Sequence, residues 1–106
     1  MNINEKSYSR LFQALADESR MKIILEIREE EKSVTEICSS TGLEQSSVSH
    51  HLKCLTNCGF AERRVEGNRR FYSANSSVLD ELFSTIDRHI ENHRKGIYTC
   101  EVLDSE

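Results

Sequence analysis

SVTEICSSTGLEQSSVSHHLKCLTNCGFAERRVEGNRRFYSAN, residues 33–75, is the stretch that decides the fold. It opens on Ser33-Val34-Thr35-Glu36, the Ser-x-x-Glu pattern of a capping box, so a short helix starts here with Val34 and Ile37 turned inward. Thr41-Gly42-Leu43 ends that helix, the glycine taking the left-handed stop. Residues 44–57 then carry apolar positions at helical spacing and form a second helix. After Gly59 the pattern changes. FAERRV (60–65) and RRFYSA (69–74) read as two strands joined by the short turn EGN (66–68). In the second strand Phe71 faces one side and Arg70 and Tyr72 the other.

Outward from this stretch the chain is helical. Residues 6–16 put Tyr8, Leu11, Phe12 and Leu15 on one face, and Asp17 reads as a cap. Residues 18–29 place Met21, Ile24, Leu25 and Arg28 at helical spacing, with Ile23 and Ile27 broadening the face. EEEK at 29–32 is a polar break. Residues 76–94 form a last helix with Val78, Leu79, Leu82, Phe83, Ile86 and Ile90 on one stripe, followed by the tail GIYTCEVLDSE. Two opening helices, a helix-turn-helix, a hairpin and a striped last helix make a mainly α winged helix-turn-helix with a small β-hairpin wing. Residues 1–95 are expected to form its DNA-binding and dimerisation domain, and residues 96–106 a separate tail.

The chain has 106 residues, which sets the expectation of one domain with a modest core that oligomerisation would help. No apolar run is long enough for a membrane span, and MNINEKSYSR has no signal-peptide pattern, so the expected location is the cytoplasm and no membrane partner is expected. Cysteines stay reduced there, so the four in this chain read as ligands, sensors or core residues and not as a disulfide framework. The net charge is −4, yet residues 45–73 hold five basic residues against two acidic, a local +3. A basic segment in an acidic chain is an electrostatic footprint for nucleic acid, or a solvated charged surface.

At 100° per residue, the helix over 44–57 and the residue just beyond it present three faces. Val48, Leu52 and Leu55 cluster as the core face. Ser46, Ser49, His50 and Lys53 lie opposite, and their hydroxyls, imidazole and ammonium suit phosphate oxygens and base edges in a major groove. With Gln45 and Ser47 on the helix, and Arg63, Arg64, Asn68, Arg69 and Arg70 on the hairpin, they make the candidate DNA-binding set. The third stripe is Ser47, His51, Cys54 and Cys58. An i, i+4 pair has β-carbons about 6 Å apart. Two thiolates so placed can converge on one metal ion. Equally, Cys54 and Cys58 can serve as small buried hydrophobes. A disulfide within one helix is geometrically awkward.

On these residues the chain resembles the ArsR/SmtB family of metal-responsive repressors, and SSVSHHLKCL (46–55) is the most specific part of the likeness. LFQALADESRMKIILEI (11–27) is similar to the family's opening segment, although Glu18 stands where proline is usual. The resemblance implies a homodimer that binds operator DNA when metal-free and leaves it on binding metal. The family's arsenic- and cadmium-sensing cysteine pattern is absent, since Ser33-Val34-Thr35-Glu36-Ile37 occupies that stretch; Cys38 nearby reads as core. The zinc-sensing positions early in the last helix fall near Ser76 and Val78, which ligate poorly, and His89 and His93 read as surface. His51-Leu52-Lys53-Cys54-Leu55-Thr56-Asn57-Cys58-Gly59, followed by Cys100, is similar to a cadmium- and lead-responsive branch. That likeness implies a metal site of Cys54, Cys58 and Cys100. Cys100 is expected to complete the site of the other subunit, with return along the last helix to its own recognition helix as the alternative.

Soft thiolates favour Cd²⁺, Pb²⁺, Zn²⁺ or arsenite over Mg²⁺ or Ca²⁺. Three suit Pb²⁺ or arsenite, while a fourth ligand from His51, water or another residue suits Cd²⁺ or Zn²⁺. Cd²⁺ or Pb²⁺ is the expected inducer, with Zn²⁺ or arsenite as alternatives. A thiol-based redox sensor on the same fold, using Cys54, Cys58 and Cys100, is the rival reading. No cofactor motif or nucleophile–base pair stands out, so an enzyme is not expected. A protein-binding adaptor would leave the basic hairpin unexplained.

Overall fold

The computed structural model describes residues 2–106. The chain divides into two compact units, the first ending at Ser76 and the second running Ser77–Glu106. The first begins with α1 (Glu5–Ala16), started by Asn4, whose side chain accepts from the backbone of Lys6 and Ser7. Asp17 ends it and at once caps α2 (Glu18–Glu29) by accepting from the Arg20 amide. Short α3 (Val34–Thr41) carries the expected capping box, with Ser33 and Glu36 each bonded to the other's backbone. Gly42 closes α3 at φ 78°, where a side chain would strain the backbone. Helix α4 (Gln45–Asn57) follows after two residues.

Ile23, Ile24 and Ile27 of α2, Ile37 of α3 and Val48, Leu52 and Leu55 of α4 are essentially inaccessible and form the core that seats α4. The buried face of α2 is therefore rotated from the expected one. It centres on the three isoleucines, while Leu25 is 47% exposed. Burial selects the β-branched side chains here, a choice that helical spacing alone does not make because both groupings have it. On α1 only Ala14 and Leu15 are buried; Tyr8, Leu11 and Phe12 stand exposed on the face shared with Leu15.

The hairpin is β2 (Ala61–Glu66) and β3 (Arg69–Ala74), paired antiparallel from Ala61↔Ala74 to Glu66↔Arg69. Its loop is thus only Gly67-Asn68, one residue tighter than expected, with Gly67 at φ 62°. Positive φ at the first central residue suits the twist of a two-residue hairpin. Phe60, expected to begin the first strand, instead precedes it as a buried plug. A third strand was not expected: β1 (Lys32–Ser33) lies against β3 through Lys32↔Tyr72 and Ser33↔Phe71, giving the order β1-β3-β2. Lys32, within the polar break, also bonds Glu26.

The second unit holds most of α5 (Ser76–Tyr98), with Leu79 and Phe83 buried and Leu82, Ile86 and Ile90 half-buried along one stripe. The helix runs past the expected end at residue 94, with non-helical backbone at His93 (φ −130°, ψ 20°). His89 and His93 stack there, ring centroids 4.4 Å apart. The tail has structure of its own, a single turn α6 (Glu101–Asp104) preceded by half-buried Cys100. Among the described residues, no helix is long and apolar enough to cross a membrane.

Candidate nucleic-acid interface and thiol pair

The three faces of α4 are present as the spacing predicts. Val48, Leu52 and Leu55 are inaccessible, Ser46, Ser49, His50 and Lys53 are exposed, and Ser47, His51 and Cys54 lie half-buried between, with Cys58 exposed at the rim. The exposed face turns toward the hairpin. Ser49, Lys53, Thr56 and Asn57 form one wall of a cleft of about 430 Å³, and Arg63, Arg70 and Tyr72 the other. A second cleft, beside the start of α3, brings Gln45 and Ser49 together with Asn68, Arg69 and Arg70. Lys53, Arg63 and Arg70 thus converge on one concavity, and low-dielectric walls strengthen their field there.

Strand register explains which hairpin residues join in. Arg63 opposes Tyr72 and Val65 opposes Arg70, so these four share the face toward α4. Arg64 opposes Phe71 and belongs to the other face. Its guanidinium donates to both carboxylate oxygens of Glu31, at 3.0 and 2.7 Å, and to Glu66 at 2.8 Å. Ser46 and His50 are exposed on α4 but line neither cleft. Thr56, Asn57 and Tyr72 were not in the candidate set. Thr56 and Asn57 could have been found from spacing, since they extend the Ser49–Lys53 row by a turn. Among the described residues, Thr56 Oγ1 at the cleft wall is buried without a hydrogen-bond partner.

On the third face Cys54 and Cys58 stand one helical turn apart, Cys58 as the C-terminal cap of α4. Burial and the neighbouring Cys54 thiol push the Cys58 thiol above its ordinary pKa, against the pull of the Arg10 and Arg20 cations. Arg20 is held firmly. Its Nε donates to the Ala14 carbonyl at 2.7 Å and one Nη to that of Gln13 at 2.8 Å, closing the end of α1. The other Nη lies 3.4 Å from His51 Nδ1. On the other side of the ring, His51 Nε2 lies 4.0 Å from Asp17 Oδ2. Among the described residues, no three His, Cys, Asp or Glu side chains gather closely enough to hold an ion.

Residues 17–63 match the profile of the bacterial regulatory protein, arsR family. A regulator of Mycobacterium tuberculosis, NmtR, is 33% identical over 85 residues, covering 80% of this chain and 71% of its own length. The chain belongs to the ArsR family. A probable mercury resistance operon repressor of Streptomyces lividans is 35% identical over 74 residues, 70% of this chain and 59% of the repressor. The regulator CmtR of M. tuberculosis is 32% identical over 77 residues, 73% of this chain and 65% of its own. Among solved structures, M. tuberculosis Rv0081 superposes with a TM-score of 0.79 at 27% identity, over 89% of this chain and 95% of that one. A homodimeric winged helix-turn-helix DNA-binding domain of Mycobacterium bovis, Mb0332, superposes at 0.71 and 26% identity, over 84% and 82%.

As an ArsR-family protein this chain is a DNA-binding transcriptional regulator, in a family of regulators rather than enzymes. The family match covers α2, α3 and α4 and enters β2, the part of the chain that presents the exposed face of α4.

Proposed function

We propose that this ArsR-family regulator is a cytoplasmic homodimeric repressor that holds operator DNA when metal-free and leaves it on binding a soft heavy-metal ion. Cd²⁺ or Pb²⁺ is the favoured inducer, with Zn²⁺ or arsenite as alternatives. The observation that carries the reading is the Cys54–Cys58 thiol pair on the edge of α4, the helix whose exposed face lines the basic cleft. The donor set fits a soft ion in chemistry and in spacing. Cys54 and Cys58 would hold it, with Cys100 of the partner subunit as third donor. Bound there, the ion would hold the thiols deprotonated at neutral pH and neutralise most of their charge.

The chain's own residues supply the rest. Ser49, Lys53, Arg63 and Arg70 meet the DNA backbone and base edges, joined by Gln45, Ser46, His50, Asn68 and Arg69 at the margins. Ser47, half-buried at the start of the thiol stripe, is a weaker contact. Arg20 ties the stripe to the end of α1 through His51, so a change at the thiols is felt where α1 meets α2. Tyr8, Leu11 and Phe12, exposed on one face of α1, support a partner subunit there: Tyr8 is 60% and Phe12 57% accessible. The likeness to a probable mercury resistance operon repressor favours a metal signal.

The test is operator binding by the purified dimer with and without each of Cd²⁺, Pb²⁺, Zn²⁺ and arsenite at fixed salt. Cys54→Ser and Cys58→Ser should keep DNA binding and lose release. A Cys54→Ser protein that still leaves DNA normally with Cd²⁺ refutes the site. The thiol pair also favours a redox sensor, and release by peroxide without metal would select that reading.

A further inference from the structure

We propose that Arg64 is a positioning residue that holds the wing, and that it does not touch DNA. From the sequence it is one of four hairpin arginines with equal claim to a phosphate. The register puts it, with Arg69, on the face away from Arg63 and Arg70, and of these four only Arg64 lines neither cleft. Arg64 lies on outer strand β2, opposite Phe71 of β3, which in turn opposes Ser33 of β1. Its fork crosses that row to Glu31, two residues before Ser33, making two parallel bonds of 3.0 and 2.7 Å. Its remaining nitrogen, Nη1, donates to Glu66 at 2.8 Å, and its guanidinium carbon sits 4.7 Å from the centre of the Phe71 ring. Arg69 covers the same ring at 5.1 Å.

This arrangement does two things. It fastens the free edge of the hairpin to the corner between α2 and α3, across the middle strand, so that Arg63 and Arg70 stay aimed at α4. It also commits all three guanidinium nitrogens of Arg64 to two carboxylates, so that a phosphate would have to displace Glu31 or Glu66 to bind there. A bidentate fork with a ring beneath it is geometry that lysine cannot reproduce, whereas a phosphate contact accepts either cation. The proposal rests on the reading of the opposite hairpin face as the DNA contact.

The experiment measures operator affinity by fluorescence anisotropy between about 50 and 200 mM salt, with thermal unfolding recorded for every variant. R64Q and R64K should both bind about two- to fivefold more weakly, the scale on which exposed charge pairs act, with an unchanged salt slope. E31Q should weaken binding as R64Q does, and E31Q/R64Q should be no weaker than either alone, because both remove the same clamp. Three results overturn the proposal: a slope lowered by about 0.9 per protomer in R64Q but kept in R64K, wild-type binding by R64Q, or losses in E31Q and R64Q that add in the double variant. R70A is the control for the underlying reading. If its slope is unchanged, the DNA-facing assignment fails, whatever Arg64 does.

Discussion

Lys53, Arg63 and Arg70 line one cleft from its two walls. If each meets one backbone phosphate, each contributes about 0.9 to the slope of log affinity against log salt. Raising salt fourfold then costs about 3.5-fold per contact, and roughly 40-fold for the three together in each bound protomer. Replacing all three with alanine should remove that part of the salt dependence, flattening the slope by about 2.7 per protomer and twice that for a dimer. Arg70→Ala alone should flatten it by about 0.9 per protomer and weaken matched and mismatched duplexes alike, as loss of a phosphate contact does. The assay is fluorescence anisotropy on an operator duplex at four salt concentrations, with a scrambled duplex beside it. A triple variant with the wild-type slope would refute the reasoning, since the cleft cations would then lie off the DNA.

Leu52→Ala, at an inaccessible position beneath α4, should cost about 2–5 kcal/mol in urea unfolding; a loss below about 1 would mean that the core closes around the gap. Arg20→Ala removes two bonds to α1 carbonyls and should destabilise by about 1–3 kcal/mol, with unfolding by denaturant as the check. Ser33→Ala breaks half of the α3 capping box and should cost about 1 kcal/mol. Glu36 is held below its ordinary pKa by the Ser33 amide and hydroxyl, and Asp17 by the Arg20 amide despite some burial. Because their folded values are depressed, their stabilisation is present above the ordinary carboxylate range and is lost as pH falls through the folded values. Melting temperature should therefore drop between pH 5 and pH 3, and Glu36→Gln should lessen that drop; an equal drop in the variant would remove Glu36 from the account.

How much of the site could be read without coordinates depends on the distance over which each feature is specified. The three faces of α4 follow from 100° steps between neighbours, and the burial of Val48, Leu52 and Leu55 agrees with that arithmetic. The Cys54–Cys58 pair was readable for the same reason, four residues being about one turn. Alternation along each strand already separated Arg63 from Arg64 and Arg69 from Arg70, but which member of each pair shares a face across the hairpin depends on the register. The true start at Ala61 and the two-residue loop put Arg63 and Arg70 on one side and Arg64 and Arg69 on the other. Arg20 was invisible as a partner of His51 because 31 positions separate them.

The sequence by itself determined the helices, their caps, the hairpin, the basic stretch and the thiol stripe, all of which rest on interactions within a few residues. Tertiary structure alone decided the rest. Two-residue β1 is too short to carry any period and exists because β3 offers it an edge. The rotated face of α2, the cleft between α4 and the wing, and the Glu31–Arg64 clamp each need a partner far along the chain. Local periodicity says which way a side chain points; only the closed fold says what stands opposite.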